Sequence, residues 1–225
     1  MKFSYALLST IKVLLVVICT LFVISILILP NVVRRHSLES ANRTRLVANG
    51  VGIYKSIMAE YEDTRIYSTE TTLAFPLSAT KDTEDALEFS NSTDYFAYLV
   101  KSEILAVNWS FFAALKVPAA PGKYDPYHPD ESLESFKPEN NAWCVVADLS
   151  MEQNWTPFLI TKNLQASQLK ASYAEDDAPT VKGPPYEDEA IVIIRMGGSG
   201  EVMRERNILW KNLNPNKAAN SILRP

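Results

Sequence analysis

Cysteine is almost missing from this chain. Cys19 lies inside its longest apolar run and Cys144 stands alone in the remainder, so the folded part holds no pair from which to build a disulfide. Histidine is equally scarce. His36 follows two arginines and His128 sits in a proline-rich stretch, which leaves no pair at metal-ligand spacing. Neither a Gly-x-Ser-x-Gly elbow nor a Gly-Lys-Ser phosphate loop occurs. A net charge of −4 gives no basic surface that would suit nucleic acid, so none is expected as a partner. No internal repeat or low-complexity segment is present, and no nucleophile, base and orienting group can be named together, so the chain does not read as an enzyme.

What is present begins with seventeen uncharged residues, Val13 to Leu29, interrupted only by Cys19, Thr20 and Ser25. A bilayer core of ~30 Å takes ~17–25 helical residues, so the run predicts a membrane-spanning helix. It is longer than the ~7–15 apolar residues of a secretory signal and lacks a small-residue cleavage site. Past Pro30 an apolar stripe at Leu38, Ala41, Val47, Val51, Tyr54, Met58 and Tyr61 continues a helical period. A helix from about Ser9 to Tyr61 would be ~80 Å long, kinked at Pro30.

Asp63 to Glu88 reads as a connecting loop, and Ser92 or Thr93 caps a second helix through Glu103. Trp109, Phe111 and Phe112 are expected in the core, and Pro118 to Pro138 on the surface. Ala142–Leu149 and Pro157–Thr161 predict one antiparallel pair. Ala190–Met196 and Glu201–Arg204 flank the Gly197-Gly198-Ser199-Gly200 turn and predict another. The expected fold is therefore α+β: a long N-terminal helix, membrane-spanning in its first half, packed on a small antiparallel sheet of about four strands with one face buried. Domain boundaries follow as 1–31 for the transmembrane half, 32–62 for the amphipathic half and 63–225 for an α+β head. Lys162 to Glu189 reads as a long excursion at the end of the sheet, where recognition loops often sit. Cys144, between Trp143 and Val145, reads as a small core residue rather than a reactive thiol.

Thr10-Ile11-Lys12-Val13-Leu14-Leu15-Val16-Val17-Ile18 resembles the leader region of type IV pilins and type II secretion pseudopilins, commonly Thr-Leu-Ile-Glu-Leu-Leu-Val-Val-Ile, and Pro30 falls where pilins carry a kinking proline. Phe89 to Phe96, Asn140 to Leu149 and Val192 to Ser199 resemble blocks of large pseudopilin-like proteins. Two positions depart from the pattern: Leu8 replaces the glycine before the cleavage site, and Val13 replaces the glutamate at the fifth mature position. The resemblance implies a pilin-like, non-catalytic structural component of a type II secretion or type IV pilus-like system. Its partners would be other pilin-like subunits, an inner-membrane assembly platform and the lipid bilayer. Its place would be the bacterial inner membrane, single-pass, with the head in the periplasm, although Arg34, Arg35, Arg43 and Arg45 would by charge alone favour a cytoplasmic head. Major pseudopilins as a family carry a calcium site in a C-terminal loop, for which Asp176, Asp177, Glu187 and Asp188 are the candidate ligands here. No other cofactor is implied. A membrane-anchored ligand-binding or sensor domain is the alternative reading.

Overall fold

A computed structural model describes residues 2–67, 75–78, 88–149 and 153–225, with side chains over 14–24, 36–62, 75–76, 88–149 and 153–225. The leader positions Leu8 and Val13 and the expected kink at Pro30 lie outside the described side chains, and most of the connecting loop expected over Asp63–Glu88 lies outside the described residues. Helix α1 is Lys2–Tyr67, and contacts group the chain into Met1–Asn42 and Arg43–Pro225.

The membrane expectations are corrected. Among the described residues no helix is long and apolar enough to cross a membrane. The helix is described with its side chains only over two shorter lengths. Residues 14–24 would rise about 16 Å, against ~30 Å of hydrocarbon. Residues 36–62 are long enough but carry Glu39, Arg43, Arg45, Lys55, Glu60 and Glu62. One long helix with a membrane-spanning first half, a single-pass topology and an inner-membrane location are therefore not supported.

The unit Arg43–Pro225 is α+β. After β1 (Leu77–Ser78) and β2 (Glu88–Phe89), a parallel two-residue pair, comes α2 (Ser92–Lys101). Its cap is Asn91, whose side chain accepts from the Asp94 N–H at 2.8 Å. Helix α3 (Pro129–Glu134) interrupts the stretch expected to be loop. Then follow β3 (Trp143–Val146), β4 (Pro157–Thr161), β5 (Ala190–Arg195), β6 (Gly200–Arg204), α4 (Trp210–Leu213) and β7 (Ile222–Leu223). The sheet has five strands, not about four, in the order β6-β5-β4-β3-β7 with every pair antiparallel.

Both faces of that sheet are buried, not one. Side chains alternate across a strand: Val192 and Ile194 of β5 join a core with Leu46, Ile53 and Ile57 of α1, with Phe96 of α2 and with Trp109 and Phe112. Ile191 and Ile193 join a second core with Cys144, Val146, Leu164, Leu169, Trp210 and Leu213. The connection from β4 to β5 is thus a cover for the second face rather than a recognition loop at the sheet's end. Buried asparagines hold that cover. Asn163 donates to the carbonyls of Glu187 (2.9 Å) and Ala190 (2.8 Å), Asn214 to those of Lys170 (3.1 Å) and Ala218 (2.8 Å), and Asn220 to those of Ala147 (3.0 Å) and Asp148 (2.7 Å). Each satisfies backbone acceptors that burial would otherwise strand without partners.

Candidate functional site

On the α1 side the helix residues that meet the sheet are Leu46, Gly50, Ile53 and Ile57, spaced by four, three and four, with Val47, Val51, Tyr54 and Met58 flanking them. The stripe read from sequence is rotated from this line. It included the flank but missed the centre, and Leu38, placed on it, is exposed. Glycines allow the approach. A Cβ on Gly50 would lie 2.5 Å from Ile194 Cγ1, and one on Gly200 would lie 2.7 Å from Val47 Cγ1. Gly198, at φ +78°, faces the Tyr54 ring. The Tyr54 hydroxyl donates to the Met196 carbonyl at 2.5 Å, and burial, then the Glu62 charge, holds that phenol above its ordinary pKa. The glycine-rich turn is therefore both a hairpin and the seat of the helix. Arg43 closes one end of the seam, 3.0 Å from the Glu189 carboxylate and over the Tyr186 ring at 5.3 Å.

The four calcium candidates do not converge. Asp177 is ion-paired with Lys170, and Glu187 with Lys116 at 2.8 Å. The Lys116 hydrogen bond, helped by its charge, holds the Glu187 carboxyl below its ordinary range. Asp176 and Asp188 are exposed, and among the described residues no three histidine, cysteine or acidic side chains gather as metal ligands. Cys144 is fully buried, and burial pushes its thiol up to about 12, outweighing the Arg224 and Lys162 charges that pull it down. His128 pairs with Asp125 at 3.1 Å in an exposed loop. No family model matches the chain, and no curated protein or solved structure gives a significant match.

Two further features stand out, of which the sequence reading had the first as an apolar run and missed the second. Residues 14–24 form eleven helical positions that are all exposed, with Leu14, Leu15, Val16, Val17, Ile18, Leu21, Phe22, Val23 and Ile24 between 44% and 66% accessible. Arg195, which ends the apolar strand β5, is 5% exposed and spends its whole guanidinium on bonds. Its Nε reaches Glu201 at 2.7 Å and its Nη2 bonds the same carboxylate and the Asn212 carbonyl (2.8 Å). Its Nη1 bonds the carbonyls of Trp155 and Leu213, the latter at 3.2 Å. An arginine closing a run of β-branched residues is a sequence signal for such a buried hub.

Proposed function

We propose that the chain is a non-catalytic structural subunit that acts by assembling with other pilin-like subunits. The observation that carries this reading is the exposed segment 14–24. A helix apolar around its whole circumference needs cover, and contiguous exposed apolar surface on this scale marks an interaction site. Side-by-side packing with the equivalent helices of other subunits supplies that cover. The seam described above supports the same reading, since it fixes a globular α+β head to the following helical residues through contacts too close for any side chain at Gly50. The leader-like stretch Thr10–Ile18 and the blocks at Phe89, Asn140 and Val192 favour a type II secretion or type IV pilus-like system as the setting.

Cys19 gives a direct test, because it is exposed within the apolar segment. A benzophenone photo-crosslinker attached at Cys19 in cells that make the full chain is expected to yield adducts with itself or with other subunits. Leu21→Asp is expected to abolish them. Recovery of the uncrosslinked chain alone, or intact secretion and filament formation after gene deletion, would overturn the proposal.

A further inference from the structure

The Arg195 guanidinium ties three pieces of chain together: the loop carrying Trp155, the edge strand β6 through Glu201, and the carbonyl end of α4. Between them lies a cleft of about 400 Å³, lined by Trp155, Glu201, Val202, Met203, Asn207 and Lys211 among others. Its size is in the range of small-molecule sites. Trp155 is 63% exposed, whereas Trp109, Trp143 and Trp210 are 0%, 0% and 6% exposed. That exposure does not come from a loose backbone. The Trp155 carbonyl accepts from Arg195, Thr156 N–H donates to Gln153, Met196 N–H to Thr156, and Gly197 N–H to Asn154. An indole is held in water by a fixed frame, at the loss of the hydrophobic stabilisation its burial would give.

We propose that this cleft binds a carbohydrate, with Trp155 as the platform for the apolar face of a neutral pyranose. The chemistry around the indole selects that class. Arg195 uses Glu201 Oε1, which leaves Oε2 as an acceptor on a carboxylate side chain 42% exposed. Lys211 Nζ stands 3.6 Å from a highly exposed Glu175 and can donate to a hydroxyl. Asn207 lines the same cleft, and its side chain is of a type that can both donate and accept. A quaternary cation, which would also seek an indole face, meets Arg195 and Lys211. An apolar peptide side chain would cover Glu201 Oε2 without offering it a donor, and desolvating a polar group that way is costly. A sugar ring offers C–H groups on one face and hydroxyls at its rim, which matches both sets.

Trp155 is the accessible indole, so iodide quenching of tryptophan emission in the full chain reports on it. Methyl glucoside, methyl galactoside, methyl mannoside and cellobiose are the probes. At least one is expected to protect Trp155 from iodide with saturation. Asn207→Ala or Lys211→Ala should weaken that protection by about tenfold, ~1.4 kcal/mol, without moving the melting temperature, and in calorimetric titration with the same sugar Trp155→Ala should abolish the binding heat while Trp155→Phe keeps part of it. Three outcomes would overturn the proposal. None of the sugars protects; tetramethylammonium protects where they do not; or quenching falls with protein concentration alone, which would mean that a second copy covers the indole.

Discussion

Gly50 of α1 stands against Ile194 of β5 so closely that a methyl group at position 50 would lie 2.5 Å from Ile194 Cγ1 and 3.0 Å from Trp143 Cη2. Both neighbours are fully buried in the core. Gly50→Ala therefore sets a helix-propensity gain of about 1 kcal/mol against overpacking of about 1–3 kcal/mol, and overpacking is expected to win. Two positions on, a Cβ at Gly52 would meet only Phe111 Cζ at 3.4 Å, an ordinary contact. Urea denaturation should show Gly50→Ala less stable than wild type and Gly52→Ala more stable.

Alkali should loosen the fold in a defined window. Burial raises Cys144 from 9.0 and Tyr186 from 10.0, each to about 12, the Tyr186 shift being opposed by Arg43 and Arg45. Both groups are acids whose neutral form the folded state favours. From pH 9 upward the unfolded chain releases protons that the native chain keeps, so stability is full below that pH and falls as pH rises toward 12. Urea midpoints at pH 8 and pH 11 should differ by more in wild type than in Cys144→Ala. Thiol titration at pH 8 should find Cys19 reactive and Cys144 silent until denaturant is added.

Arg195→Ala should be among the most damaging single changes. It strips partners from three backbone carbonyls, about 1–3 kcal/mol for each acceptor that stays buried, and returns the half-exposed Glu201 carboxylate to water. Arg195→Lys keeps the charge but not the planar fork, and should recover only part of this in equilibrium unfolding. Glu201→Gln, at the partly exposed end, should cost less than either.

The pair at the end of the seam should divide unequally. Glu189 is half-exposed and Arg43 is nearly buried against Tyr186. Glu189→Ala should cost no more than about 1 kcal/mol, as solvent-facing pairs do, and less in high salt. Arg43→Ala should cost more, since it also removes packing. A double-mutant cycle in urea, run at low and high salt, separates the two contributions.

Strand identity was legible because β-branched runs such as Ile191 to Ile194 have few other uses, but the expectation of one buried face overlooked that this run lacks polar alternation, a sign of cover on both faces. The second cover was harder to see. Leu164, Leu169 and Val181 are spaced irregularly in polar sequence, and their burial depends on asparagine clips to distant carbonyls. The helix stripe was found but misaligned, because Val47, Val51, Tyr54 and Met58 carry a period as good as Leu46, Ile53 and Ile57, and only the sheet decides between the two rows. β7 is two residues long, too short for any pattern. The apolar run before Pro30 dominated the sequence reading, yet the residues described within it fall short of a bilayer's thickness. Trp155 was not singled out in the sequence, because the backbone bonds that fix its loop, the Arg195 bond to its carbonyl among them, join residues far apart in the chain.

β7 pairs with β3, and just beyond it the Arg224 carbonyl receives the Ser92 N–H at the start of α2. The flank of β3 therefore stays open throughout synthesis until residues 222–224 leave the ribosome. A nascent head must wait for this strand with an unpaired edge, so a chaperone able to shield β3 would have to stay bound until residues 222–224 have cleared the ribosome.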